Sequence, residues 1–351
     1  MSKLLEPVNF GALKLKNRVV MAPLTRARSP GRVPTSSVVE YYRQRASAGL
    51  IISEATSVSP HGVGYADTPG IWSDEQVEAW RRVTDAVHEA GGLMVLQLWH
   101  VGRISDPSFL NGLAPVAPSA VAAAGQVNLL RPKRAYPVPR ALDTDEIPRV
   151  VEEYARGAEN AKRAGFDGVE LHGANGYLID QFLQDVSNRR ADQYGGSIEN
   201  RARFMLEVTD AVVSVWGADR VGMHLAPRGD SHDMGDSDKR GVFTYAAEQL
   251  GKRRLAFLCA REHLAEDSLG PELKRAFGGP YVVNEGFGKE SAEGVLVAGW
   301  ADAVAFGKAY IANPDLVERF EQGAELNEPD FSTFYVGGDH GYLDYPVLAA
   351  K

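Results

Sequence analysis

The chain has 351 residues, 44% hydrophobic and 24% charged, and its 38 Lys and Arg against 46 Asp and Glu leave a net charge of −8. That is a globular composition, and an acidic balance with no basic stripe excludes the electrostatic footprint of a nucleic-acid binder. No run approaches the ~20 apolar residues of a membrane helix, and the single cysteine, Cys259, leaves neither an internal disulfide nor a Cys-ligated zinc or iron–sulfur site.

Residues 1–7 carry neither an apolar run nor a small-residue cleavage site, so no signal peptide is expected. A cytoplasmic protein without a metal, acting on small molecules as a monomer or homodimer, fits these features. Short apolar runs then recur along the chain at 18–22, 50–55, 93–99, 168–172, 221–226, 255–259, 281–284 and 303–306. Near-continuous apolar runs of this length read as strands covered on both faces. Amphipathic stretches separate them. Residues 1–17 precede the first run and are expected to cap a barrel floor. Ser73 and Gln76 form a capping-box pattern that opens a helix. Residues 103–142, rich in Pro, Ala and Gly, separate the third run from its helix, a gap long enough to suggest a lid. Within 145–165, Ile147, Val150, Val151, Tyr154, Ala158 and Ala161 recur at spacings of three and four, one face of a helix. Cys259 lies in the sixth run and reads as a small buried hydrophobe. Asn313-Pro314 reads as an N-cap with proline at the first helical position.

This alternation, with no shift in composition, predicts an α/β fold: a single (β/α)₈ TIM barrel over 1–351, with an N-terminal cap and a long lid insertion after strand three. An open doubly wound sheet is the alternative. It usually announces itself with G-x-G-x-x-G, which is absent here, as is a P-loop.

Barrel active sites gather at the C-terminal ends of the strands. Strand seven ends in Asn284-Glu285-Gly286 and strand eight in Gly307-Lys308. Two glycine turns and a lysine suit a phosphate, because glycine lets backbone N–H groups approach an anion; they equally suit a turn beside a surface lysine. Strand four ends in His172, followed by Asn175 and Tyr177 among glycines. A His and an amide three residues apart can donate two hydrogen bonds to one oxygen, and a neighbouring Tyr keeps its proton at neutral pH. Singly, each residue is as well explained by packing or turn formation. Gln97 ends an otherwise apolar strand, and its amide must be paired; it can match a flavin pyrimidine edge or the local backbone.

These runs resemble the old yellow enzyme family of FMN-dependent reductases almost from end to end. The resemblance rests on Asn17-Arg18-Val19-Val20-Met21-Ala22-Pro23-Leu24-Thr25-Arg26, on Gln97-Leu98-Trp99-His100-x-Gly102-Arg103, and on Glu170-Leu171-His172 through Gln181-Phe182-Leu183. It rests also on Asp192-Gln193-Tyr194-Gly195-Gly196-Ser197-x-Glu199-Asn200-Arg201 and on Ala303-Val304-Ala305-Phe306-Gly307. Within the family the chain looks nearest to the bacterial N-ethylmaleimide, pentaerythritol tetranitrate and glycerol trinitrate reductases. The resemblance implies non-covalent FMN, with NADPH or NADH as reductant. It assigns Pro23, Leu24, Thr25, Ala55 and Gln97 to the isoalloxazine ring, and Gly286, Gly307 and Lys308 to the phosphate, with Glu285 beside it. It makes His172 and Asn175 the grip on the substrate oxygen and Tyr177 the proton donor. Tyr65 and Tyr335 would wall the pocket, with Trp99 behind it and Arg140 near the lid. The implied cycle is ping-pong: hydride passes from the nicotinamide to flavin N5 and then to the β-carbon of an activated C=C bond. Enones, maleimides, nitroalkenes and nitrate esters are the implied acceptors.

Two positions depart from the family pattern. His224 stands where the family places an Arg against the flavin N1–C2=O2 edge, and either His224 or Arg228 is expected to compensate. Lys308 replaces the phosphate Arg and loses its bidentate fork, so weaker FMN binding is expected. A non-flavin phosphate-binding barrel isomerase or lyase, or a catalytically silent binding protein, are the rival readings.

Overall fold

Parallel pairing of the apolar runs continues until the sheet meets itself. The structure, a computed structural model, describes residues 2–349. A hairpin of β1 (Val8–Phe10) and β2 (Leu13–Leu15) comes first, followed by β3 (Val19–Met21), α1 (Ser36–Arg43), β4 (Leu50–Ile52), the short β5 (Thr56–Ser57), α2 (Asp74–Glu89) and β6 (Met94–Trp99). A two-residue ladder of β7 (Val116–Ala117) and β8 (Arg140–Ala141) then precedes α3 (Ile147–Arg163), β9 (Gly168–Gly173), α4 (Leu178–Leu183), α5 (Ile198–Trp216), β10 (Val221–Leu225), α6 (Lys239–Lys252) and β11 (Phe257–Arg261). The chain finishes with α7 (Gly270–Phe277), β12 (Tyr281–Asn284), α8 (Lys289–Val297), β13 (Ala303–Phe306), α9 (Lys308–Ala312) and α10 (Leu316–Gln322). The strand order β4-β3-β13-β12-β11-β10-β9-β6 is closed by a β4–β6 pairing, and every pair is parallel. The result is a (β/α)₈ barrel. Among the described residues no helix is long and apolar enough to cross a membrane.

Two apolar compartments follow from the alternation of side chains along each strand. Val20, Leu50, Ile52, Val95, Cys259, Val282 and Ala305 fill the barrel interior together with Phe10, Leu13 and Leu15 of the hairpin. The hairpin meets the N-terminal ends of the strands: Ala12 N–H donates to Asp219 O, and Phe10 packs on Phe257. Outward-facing residues of the strands pack against the helices, where Ile147, Tyr154, Ala158 and Ala161 of α3 are fully buried. The box at Ser73 forms, with Gln76 N–H donating to Ser73 Oγ and Ser73 N–H to Gln76 Oε1. Cys259 is fully buried, and burial together with the nearby Glu170 pushes its thiol well up.

One boundary differs from the sequence reading. Asn313 caps the C-terminal end of α9 rather than opening a helix, and α10 starts after Asp315. The reason is tertiary: Asn313 donates to Ala309 O and accepts from Asn327 N–H at 2.7 Å, so its side chain is spent on the loop that follows α10.

The run from Asp192 to Arg201 is a structural clasp. Asp192 is paired with Arg190, and that pairing holds its carboxyl well below the usual carboxylate range. Asn188 donates to Phe182 O and Tyr194 O, while Arg201 donates to Leu183 O and pairs with Asp236. These contacts fasten α4 and α5 behind the strand that carries His172.

His100, just past β6, is 1% exposed and accepts from Gly102 N–H through Nδ1. Burial pushes it down to about 3 from 6.5. The unfolded chain therefore takes up a proton near pH 6.5 that the folded chain refuses. This contribution to stability is intact above that pH and falls by roughly 2 kcal/mol between pH 7 and 5. Glu54 and Asp180, raised by burial to about 7 and about 6, act in the opposite sense and stabilise the fold at low pH. Comparison with His100→Asn isolates the histidine. In urea melts the variant should gain roughly 2 kcal/mol on wild type between pH 7 and 5, whereas parallel curves would contradict a buried neutral imidazole.

Candidate active site

Every strand of a parallel barrel delivers its last residues to the same rim. At the end of β9 the chain leaves through Gly173-Ala174-Asn175-Gly176-Tyr177. Asn175 and Gly176 are both left-handed, with φ of 59° and 77°. Gly176 has no alternative, because a Cβ there would come within 2.8 Å of Ser231 O and Met234 Cγ. The turn is fastened from below by Asp180, which accepts from Gly176 N–H at 2.8 Å, and by Gln181, which donates to Gly176 O and Val101 O. This double bend turns Asn175 and Tyr177 back toward His172.

Tyr177 joins the other two, touching His172 ring to ring and sharing a cavity with Asn175. His172 and Tyr177 ring centroids lie 5.0 Å apart and edge-on, and Tyr177 stands at the same distance from Trp99. Tyr65 stacks on Trp99 and shares a hydrogen bond of 2.9 Å between its hydroxyl and that of Tyr177. Asn175 and Tyr177 line a cavity of about 410 Å³ with Thr25, Tyr65, Asn128, Leu129, Ser231, His232, Arg261 and Tyr335. Among the described residues three larger clefts lie elsewhere, and none is lined by any residue of this set.

Burial sets the protonation states here. Desolvation, reinforced by the charges of His224, Arg261 and His232, holds His172 well below its usual range, so it is a neutral imidazole. Desolvation likewise pushes Tyr177 above its ordinary 10.0, against a smaller opposing effect of the Tyr65 hydrogen bond.

Next to this group, β6, β9 and β10 present polar side chains. His224 lies in register with His172, and the two imidazoles stack at 5.5 Å. Gln97 Nε2 donates to Glu170 Oε1 at 2.7 Å and lies 3.3 Å from His224 Nδ1. His224 Nδ1 also lies 3.5 Å from Glu170 Oε1, so Gln97 and Glu170 together hold this edge of the ring and Nε2 is left without a protein partner. His224 Nε2, His172 Nδ1 and Trp99 Nε1 are buried without a partner. A heteroaromatic ligand with polar atoms on its edge would give these nitrogens partners. Pro23, Leu24 and Thr25 follow β3, where Arg26 N–H donates to the buried Glu54 carboxylate, and Ala55 follows β4.

Beyond β12 and β13 the paired strand ends place Glu285-Gly286 beside Gly307-Lys308. Glu285 has φ of 92° and Gly286 has 78°, and the space over Gly286 is open. Lys308 is exposed at the start of α9, 5.0 Å from the Phe331 ring centroid.

Two candidate residues are held elsewhere. Arg140 is engaged at the surface, its guanidinium paired with Glu146 at 2.6 and 3.0 Å, and it does not line the cavity. Arg228 is drawn outward to Asp267, Glu262 and His263 O, which leaves His224 as the group facing the barrel mouth. Conversely, Arg261, His232, Ser231, Asn128 and Leu129 line the cavity without having been singled out. Arg261 ends β11, two residues past the apolar run 255–259; extending that strand to its polar terminus would have found it. Asn128 and Leu129 arrive from the long insertion, and its Val127 and Tyr136 pack with Tyr65 and Trp99.

Comparison with known proteins follows the same lines. Residues 3–327 match the model of the NADH:flavin oxidoreductase / NADH oxidase family. The chain is 45% identical to 12-oxophytodienoate reductase 1 of Oryza sativa subsp. japonica, over 98% of this chain and 93% of the relative. It is also 45% identical to a probable flavin mononucleotide-dependent alkene reductase of Leishmania infantum, over 98% and 97%. Among solved structures, the old yellow enzyme homologue from Zymomonas mobilis superposes with a TM-score of 0.96 at 46% identity, covering 99% of this chain and 100% of that one.

The direction of the Tyr177 shift has a measurable consequence. A phenol kept protonated by burial remains a proton donor above the pH at which a free tyrosine ionises, ~10. The rate at which reduced enzyme turns over an enone should therefore show no fall from Tyr177 ionisation below pH 10; a midpoint at 9 that vanishes in Tyr177→Phe would contradict the assignment.

Proposed function

The chain belongs to the NADH:flavin oxidoreductase / NADH oxidase family and is an oxidoreductase of the old yellow enzyme type, and from that membership we propose an FMN-dependent ene-reductase whose acceptor oxygen is gripped by His172 and Asn175 and whose proton donor is Tyr177. The observation that carries the proposal is that Asn175 and Tyr177 line one cavity while His172, outside its lining, packs edge-on against Tyr177, beside buried ring nitrogens that have no partner. Membership also sets aside a non-flavin isomerase or lyase.

The residues present fit FMN. Gln97 and His224 offer hydrogen-bonding atoms for the pyrimidine edge, Thr25 a hydroxyl, and Pro23, Leu24 and Ala55 apolar surface. Gly286, Gly307 and Lys308 would take the phosphate at the adjoining ends of β12 and β13. Bound there, FMN supplies the two-electron chemistry, accepting hydride from NADH or NADPH and returning it to the acceptor. His224 does for this chain what a fixed cation does in its relatives: a proton on its Nε2 would stabilise negative charge on the ring edge.

The protein's own part is positional and electrostatic. His172, being neutral, offers one ring N–H, and Asn175 offers its amide N–H. Two donors on one carbonyl or nitro oxygen favour the state in which that oxygen becomes negative. Tyr177, protonated and hydrogen-bonded to Tyr65, holds a proton for the α-carbon. Tyr65 and Tyr335 wall the space, with Trp99 stacked on Tyr65, and favour a flat, conjugated acceptor. Activated C=C bonds of enones, maleimides and nitroalkenes are the proposed class. Nitrate esters are an extension, since they present the same polarised oxygen.

Anaerobic stopped-flow separates the two half-reactions. Tyr177→Phe should slow oxidation of the reduced enzyme by cyclohexenone by roughly 10²–10⁴-fold, the usual worth of a general acid, and leave reduction by NADH or NADPH within about threefold of wild type. Equal damage to both halves would remove Tyr177 from the donor role. His224→Ala should lower the flavin midpoint potential by roughly 30–60 mV, the equivalent of one charge-assisted hydrogen bond in a two-electron couple. An unchanged potential would assign the ring edge to another group.

A further inference from the structure

Arg261 is absent from the family pattern described above and, among the described residues, is the one guanidinium that lines the cavity. It is the last residue of β11, and its side chain is 34% exposed. Nη1 donates to Asn175 Oδ1 at 2.8 Å and reaches Ser231 Oγ at 3.4 Å. Nη2 donates to Glu285 Oε1 at 2.9 Å. One side chain thus ties the turn after β9 to the turn after β12, across β10 and β11.

Each contact has a chemical consequence. A guanidinium carries five donors and no acceptor. It can only face the oxygen of the Asn175 amide, which leaves the NH₂ as the group that Asn175 offers to the cavity. An asparagine free to rotate could instead present its oxygen, whose lone pairs would repel an acceptor oxygen. Donation from a cation also draws electron density through the amide and sharpens its N–H bonds as donors. At the other end, Glu285 sits at φ 92°, a conformation rare for a side-chain-bearing residue, next to the glycine turn assigned to phosphate. A free carboxylate there would repel a phosphate dianion. The ion pair neutralises it and turns it toward β11.

We propose that Arg261 is a positioning residue serving both halves of the site: it orients the Asn175 amide as a hydrogen-bond donor to the acceptor substrate, and it disarms Glu285 so that the turn after β12 can receive the FMN phosphate. This deepens the ene-reductase reading and rests on it. Arg261 touches neither the reacting carbons nor the transferred proton. Its charge is also among those that keep His172 neutral.

The two roles separate in a double-variant design with two binding constants. FMN affinity is read by fluorescence quenching on titrating apoprotein. Acceptor affinity is read from the cyclohexenone concentration dependence of the oxidative half-reaction at saturating FMN. Arg261→Met should weaken both by about tenfold or more, the cost of stripping a charged hydrogen-bond partner. Adding Glu285→Gln should restore FMN affinity to within about threefold of wild type and leave acceptor binding weak. A merely structural ion pair predicts otherwise, with the double variant no better than Arg261→Met in FMN binding. That result, or an unaltered cyclohexenone constant in Arg261→Met, would overturn the proposal. Should Arg261→Met fail to fold, Arg261→Lys carries the test. Lysine lacks the planar fork that reaches both partners from two nitrogens, so at least one constant should rise, and two unchanged constants would overturn the proposal. Wild-type apoprotein that binds no FMN would instead bring down the flavin reading, and this proposal with it.

Discussion

Closure of eight parallel strands is the constraint from which the rest of this molecule follows. Parallel pairing brings every C-terminal strand end to one rim, and closure makes the first and last strands neighbours. Residues separated by more than a hundred positions therefore meet. Thr25 after β3 shares a cavity with Tyr177 after β9 and Arg261 of β11, and His224 stacks on His172 because β9 and β10 pair in that register. The hairpin under the floor plugs the other end with Phe10, Leu13 and Leu15, so the interior stays dry up to the polar layer of Gln97, Glu170 and His224.

That dryness is chemically useful. Removing imidazoles and phenols from water favours their neutral forms. His172 is left able to donate without being a cation, and Tyr177 keeps its proton well past the pH at which a free phenol would lose it. The same low dielectric makes each unpaired polar atom costly. Three unpartnered nitrogens, on His172, His224 and Trp99, therefore mark where binding would recover what folding left unsatisfied.

Besides the Arg261–Glu285 pair, the rim is held by arginines whose partners are backbone carbonyls. Arg26 and Arg28 donate to the carbonyls of Thr333, Phe334, Gly338 and Gly341 and stack against Tyr342, which pins the C-terminal segment so that Tyr335 walls the cavity. Arg103 reaches Val121 O and His232 O, joining the long insertion to the loop after β10. Carbonyl oxygens have no charge to titrate, so these straps do not depend on pH as carboxylate pairs do.

Most of the strands, the α3 face, the Ser73 cap and the His172–Tyr177 turn were legible in the amino-acid sequence, because each depends on local periodicity or on residues within a few positions of one another. Tertiary structure alone decided the rest. Nothing near Arg228 announces that Asp267 will take its guanidinium, and Asn313 is diverted by Asn327, fourteen residues on. Arg261 reads locally as the polar end of a buried strand. Its partners, Asn175 and Glu285, come to it only through the pairing of β9 to β12 and the two left-handed turns at their ends. Periodicity records which face of an element is buried. Which side chains then face one another is set by barrel register and by loops whose conformations depend on contacts distant in sequence, and no local pattern encodes that.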